Sequence, residues 1–255
     1  GNSREMDLQI HSILEKIRFE VPALVIADCS GSMTGEATFV ARLLATVTML
    51  KNPSDELDNL LVCFGNNAEI FTDGSTGTNR ANRFVQGVST KVNRLVDRTK
   101  PFSENYASIS RFIHSDMGGT EFNSVAKKLA QWIESDQDLK ASRIEQLQGY
   151  PVFIVVSDGD MNSSRSAAQS MMDFRSVMAR YGWDGVCVVW DVATGNPDKN
   201  KFASVPNTMH FMGWNLAIVN QVFTKIDDLD VIDTYLPLKA LYESNRYDLV
   251  KKNVV

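Results

Sequence analysis

The stretch DCSGSM (28–33) sets a carboxylate and two hydroxyls at alternating positions, Asp28, Ser30 and Ser32, directly after the apolar run ALVIA (23–27). Two distant segments offer the same kind of donor: Gly118-Gly119-Thr120, and SDGD (157–160) at the end of the apolar run VFIVVS (152–157). Hydroxyl and carboxylate oxygens are hard ligands. A set made of Asp28, Ser30, Ser32, Thr120 and Asp158 therefore calls for Mg²⁺, or Mn²⁺ or Ca²⁺, rather than zinc. The serines and the threonine are neutral. With these bound directly and the two aspartates acting mostly through water, the ion keeps net positive character. A vacant or water-filled position then takes a carboxylate or phosphate from a partner.

Competing chemistries fit less well. Asp158 is preferred over Asp160 because it abuts the strand. DGDMNSS (158–164) begins like a calcium loop but has Ser163 where a glycine is needed and Gln169 where the bidentate glutamate belongs. A phosphotransfer aspartate needs a second acid two residues on, and Ser30 stands there. Ala27 to Gly31 do not make a GxSxG elbow, and no GxGxxG, GxxxxGK[ST] or CxxC occurs. His11 and His114 fall in predicted helices and His210 in a predicted strand, which suits structural or exposed roles.

The elements that must position these donors alternate in type. Strands are predicted at 23–27, 60–65, 68–72, 152–157, 185–192 and 208–212. Helices are predicted at 4–18, 36–50, 79–98, 104–115, 121–134, 164–181 and 214–226. Only Asn66-Asn67 separates the second and third strands, so these two form an antiparallel hairpin. The whole predicts a doubly wound, Rossmann-like, mostly parallel six-stranded sheet with one antiparallel edge strand and helices on both faces. Ligands of such sheets bind beyond the carboxyl ends of the strands, where the strand order switches. DCSGSM and SDGD each follow a strand directly, so both fall on that rim.

At 255 residues, with 44% hydrophobic and 22% charged residues, the composition is that of one sizeable globular α/β domain. No apolar run approaches the ~18 residues of a membrane span. The opening GNSREM lacks an initiating Met and reads as a scar or a cut from a longer protein. Cys29, Cys63 and Cys187, odd in number and set in apolar runs, read as buried free thiols of a reducing, intracellular, cytoplasmic compartment.

In this order and strand context, DxSxS, GGT and SDG together resemble the metal-ion-dependent adhesion site of von Willebrand factor A-type (VWA) domains. The resemblance spans residues 20–226. It implies Asp28, Ser30 and Ser32 as the DxSxS element, Thr120 as the site's threonine and Asp158 as its late aspartate. Within that family, DCSGSM and the upstream helix are similar to the A domain of Ro-type ribonucleoproteins. The tail DTYLPLKALYESNRY (233–247) is similar to intracellular and viral A-domain proteins. Residues 1–19 are then an N-terminal helix and linker, and 227–255 an extension packing on the domain.

One segment stands apart in a chain of net charge −5. NRANRFVQGVSTKVNRLVDRTK (79–100) carries six cations and a single acid, Asp97. On a continuous helix turning about 100° per residue, Arg80, Arg83, Lys91, Arg94 and Arg98 fall within roughly 80° of one another. Phe84, Val88, Val92 and Leu95 then pack inward from the neighbouring face. Such a stripe suits RNA phosphates or an acidic protein, or is a solvated helix face. The expected function is non-catalytic: a cation-binding interaction module that docks a carboxylate of a protein partner, within an RNA-associated (Ro-like) protein. The alternatives are RNA binding through 79–100 and a metal-assisted phosphoryl hydrolase. The hydrolase lacks an evident base or nucleophile on the rim, since both aspartates are needed around the ion.

Overall fold

The computed structural model describes residues 22–52, 59–79, 87–115, 117–159, 161, 166–192 and 201–212. The predicted helices at 4–18 and 214–226, the flanking segments 1–19 and 227–255, and Asp160 lie outside the described residues.

Six strands form the main sheet: β1 (Ala23–Asp28), β2 (Leu60–Phe64), β3 (Ala68–Thr72), β6 (Val152–Ser157), β7 (Val186–Asp191) and β8 (Thr208–Met212). Their order is β3-β2-β1-β6-β7-β8. Every neighbouring pair is parallel except β2–β3, which is antiparallel with Leu60 opposite Thr72 and Phe64 opposite Ala68. This is the doubly wound arrangement, with its switch point between β1 and β6. Both of those strands are buried at every residue, as strands covered on both faces must be.

Two apolar layers flank the sheet. On one face Val25, Ala27, Cys63 and Val156 pack with Val40, Leu44 and Val47 of α1 (Glu36–Lys51), and with Ile109 of α2 (Phe102–Ile109). On the other, Leu24, Ile26, Phe64 and Phe153 pack with Val125 and Leu129 of α3 (Asn123–Glu134) and with Met171 and Phe174 of α5 (Ala167–Ala179). Phe153 stacks on Trp183 at 3.9 Å between centroids, and the Trp183 indole Nε1 donates to the Tyr150 carbonyl at 2.7 Å. Each such side chain is worth about 1.5–3 kcal/mol in removal from water. A further helix, α4 (Lys140–Gln148), buries only Leu147 and so shows little apolar periodicity in the sequence. The α5 N-terminus is capped by Ser166 Oγ, which accepts from the Gln169 amide. All three cysteines are free and buried. Burial pushes the Cys187 thiol up to about 12, and the Cys63 thiol up as well. No helix of the described residues is long and apolar enough to cross a membrane.

Over its described residues, 79 and 87–98, the predicted helix at 79–98 is not formed. Its place is taken by a two-stranded antiparallel ladder of β4 (Thr76–Asn79) and β5 (Val88–Lys91), with Thr76 opposite Lys91 and Asn79 opposite Val88. The β-branched Val88 and Thr90 favour this pairing. The chain from Val92 onward then runs as a loop. The stripe of Arg80, Arg83, Lys91, Arg94 and Arg98 therefore does not exist as a helix face. Arg80 and Arg83 lie outside the described residues, Lys91 ends β5, and Arg94 and Arg98 sit on the loop. The helix predicted at 104–115 is the shorter α2, and His114 follows it in a turn region.

Candidate metal centre

Asp28 is the last residue of β1 and lies beside the switch point, 1% exposed. Its carboxylate accepts twice: Oδ1 from the Ser30 amide at 2.8 Å, and Oδ2 from Ser157 Oγ of β6 at 2.7 Å. The second bond crosses the switch point and ties the two central strand tips together. The chain turns tightly after Ser30, whose carbonyl accepts from the Met33 amide at 3.1 Å. Cys29 and Met33 anchor this turn in the core, while Gly31 and Ser32 are exposed. Ser30 is buried, and its Oγ lies 3.0 Å from Ser32 Oγ. The alternation of DxSxS thus aims both hydroxyls to one side of the turn. Burial raises the Asp28 carboxyl to about 6 despite its hydrogen bonds to Ser30 and Ser157, and the nearby Asp158 charge adds to the rise.

The GGT segment is brought to the same place by backbone bonds. The Gly31 amide donates to the Gly118 carbonyl at 2.7 Å, and the Met117 amide to the Cys29 carbonyl at 3.1 Å. On the other side, the Asn66 amide donates to the Met117 carbonyl and the Glu121 amide to the Gly65 carbonyl, both at 2.9 Å. Thr120, half-buried, therefore lies in a stretch threaded between the DCSGSM turn and the β2–β3 turn. The glycines are needed there for space. Gly118 has φ +83°, and a Cβ on it would sit 2.3 Å from Asn66 Nδ2. Asn66 Oδ1 in turn accepts from the Gly119 amide at 2.8 Å. Asn66 holds the loop in place, although the sequence marks it only as a turn residue.

Asp158 follows β6 directly. Its Oδ1 is buried and has no hydrogen-bond partner among the described residues, an expensive state for a carboxylate oxygen unless a cation or water completes it. The SDG turn is fixed from two directions: the Lys201 ammonium donates to the Gly159 carbonyl, and the Phe122 amide donates to the Met161 carbonyl at 2.8 Å. Gly159 has φ +94°, and a Cβ there would meet Asp191 Oδ2 at 2.6 Å. Asp191, buried at the tip of β7, has its Oδ2 3.6 Å from His210 Nε2. Ser157, Asn66 and Asp191 escape the sequence pattern. Ser157 is the only one of them inside a motif, as the first letter of SDG.

The fold thus gathers the three motif segments at one sheet edge: Asp28 and Ser30 with Ser32 by side-chain contact, the Thr120 segment by backbone bonds, and Asp158 by its charge acting on Asp28. Among the described residues, no group of three or more His, Cys, Asp or Glu side chains stands ready to hold a metal. Any ion here would depend on hydroxyl donors beside the two carboxylates. The donor chemistry and the orphaned Asp158 oxygen fit a hard divalent cation.

No protein-family model matches this chain, and no curated protein matches it in sequence. Among solved structures it is similar to the Ro (RSR) protein of Deinococcus radiodurans, at 14% identity and a TM-score of 0.49, over 88% of this chain and 38% of that one. This chain thus spans little more than a third of the Deinococcus protein's length. It is also similar to an aerotolerance-related membrane protein from Bacteroides fragilis carrying multiple mutations to serines. There the identity is 13% and the TM-score 0.46, over 80% of this chain and 97% of that one.

Proposed function

We propose that the chain is a VWA-type interaction module that binds one divalent cation at the β1–β6 switch point and uses it to dock an acidic side chain of a protein partner. The observation that carries this reading is the buried Asp158 Oδ1, which has no hydrogen-bond partner among the described residues, on a residue near enough for its charge to raise the Asp28 carboxyl. Ser30, Ser32 and Thr120 would supply neutral oxygens, and Asp28 and Asp158 the negative charge. Asp28 has a second task, since its two hydrogen bonds set the Ser30 turn and clamp β1 to β6. A bound Mg²⁺ supplies an electrophilic position for the partner's carboxylate. The protein holds the donors rigidly, because each motif follows a buried strand or is bonded to one.

The test is partner capture by the wild-type chain and by Asp28→Ala and Thr120→Ala variants, with Mg²⁺ and with EDTA. The proposal expects capture that needs Mg²⁺ and is lost in both variants, whose circular dichroism stays that of the wild type. Capture unchanged in EDTA would refute it.

A further inference from the structure

A cleft of about 650 Å³ lies between the 91–100 segment and the outer side of α2, and no residue of the candidate metal set lines it. Its walls carry Lys91, Arg94, Lys100 and Arg111 against two acids, Asp97 and Glu104. Both acids are engaged locally. Asp97 accepts from the Thr99 amide at 3.0 Å and from Thr99 Oγ at 2.6 Å, and Glu104 pairs with Lys100 at 3.7 Å. Lys91, Arg94 and Arg111 make no side-chain hydrogen bond or ion pair among the described residues. Ser108, also on the wall, has a buried Oγ with no hydrogen-bond partner among the described residues.

The walls are held in place. Val92, Leu95 and Val96 are buried in the core, which leaves Asn93 and Arg94 outward. The Val92 amide donates to the Ser75 carbonyl at 2.9 Å, and the Leu95 amide to Asp73 Oδ1 at 2.7 Å. The Asn105 side chain binds the other end: its Oδ1 accepts from the Asp97 amide at 2.6 Å, and its Nδ2 donates to the carbonyls of Asp97, Lys100 and Pro101. The Thr78 amide donates to the Arg111 carbonyl at 3.0 Å, which fixes the opposite wall to β4.

We propose that this cleft binds the di- or triphosphate group of a small phosphorylated ligand. Two guanidinium groups and an ammonium, none hydrogen-bonded or ion-paired among the described residues and with only the Thr99-engaged Asp97 acting on Arg94, match the charge of adjacent phosphates. The volume is that of a small-molecule site rather than a strand-tracking groove. The wall backbone is fixed beforehand, so the ordering cost of binding falls on the cationic side chains alone. The inference stands apart from the metal reading, and its test removes divalent ions.

The test titrates the full chain with inorganic pyrophosphate in EDTA at low salt, by calorimetry and by amide chemical-shift mapping. Saturable one-site binding is expected, with shifts confined to residues 91–111. Arg94→Ser and Arg111→Ser should each weaken it about tenfold, while Lys127→Ala, on exposed α3 surface, should leave it unchanged. Absence of saturable binding would overturn the proposal. So would binding that Lys127→Ala weakens as much as the arginine variants do, or binding that neither arginine variant affects. Retention of single-stranded RNA without any response to pyrophosphate would also overturn it, since the cleft would then be one part of a longer backbone track.

Discussion

The carboxyl rim of the main sheet and the cleft beside β4 and β5 both gather polar side chains, but they are assembled in opposite ways. The rim draws on residues as far apart as Asp28 and Ser157, joins them by buried hydrogen bonds, and pays in raised carboxyl pKa. The cleft draws on one stretch of about twenty residues; Lys91, Arg94 and Lys100 stand on the surface and Arg111 is half-buried. Buried polar groups are costly and coupled to the fold, whereas exposed charges are screened and nearly independent of it. Changes at the rim should therefore move stability and ligand binding together, and changes at the cleft should move ligand binding alone.

The largest effect expected is one of pH. The folded Asp28 carboxyl titrates at about 6 against an ordinary 3.8, so the folded state binds this proton more tightly than the unfolded chain. In the metal-free protein its contribution is fully present below about pH 4 and is lost as pH rises through about 6, by about 3 kcal/mol. Urea unfolding across this range should show the decline, and Asp28→Asn should flatten it. Next comes the cation. At neutral pH, Mg²⁺ at about a hundredfold its Kd should stabilise the wild type by about 2.7 kcal/mol, and thermal unfolding should show no such gain in Asp158→Ala. The gain should also fade as pH drops below about 6, because the ligands must be deprotonated.

Gly118→Val should cost about 1–3 kcal/mol, from its left-handed backbone and the clash with Asn66, and should also weaken the Mg²⁺ response. If it left that response intact, the coupling between fold and site claimed for the rim would be broken. The smallest effect belongs to the cleft. Arg94→Ser and Arg111→Ser should change unfolding free energy by no more than about 0.5 kcal/mol. A larger loss would mean that these cations support the fold and that the contrast between the two regions is overdrawn.

The same contrast explains what could be read from the chain alone. The strands of the switch point declare themselves because burial on both faces leaves no polar position between Ala23 and Ala27 or between Val152 and Val156. Residues directly after them inherit a known place on the rim. The hairpin of β2 and β3 follows from its two-asparagine link. By contrast, Val88, Val92 and Leu95 imitate helical spacing, yet Val92 and Leu95 turn into the core from a loop while Val88 is 71% exposed on β5. Tertiary packing, not local period, decides that segment. Lys140–Gln148 is a helix with one buried residue, which leaves no stripe to detect. The roles of Asn66 and Asp191 depend on contacts across the sheet edge, which no local pattern encodes.

Whether a hard cation is held at the switch point is tested most directly by crystals soaked in Mn²⁺, through the metal's anomalous scattering. The prediction is a single strong peak bounded by Ser30, Ser32 and Thr120, with the Asp28 and Asp158 carboxylates around it directly or through water. A map with no peak there, or with its strongest peak elsewhere on the molecule, would mean that the switch point is not the cation site.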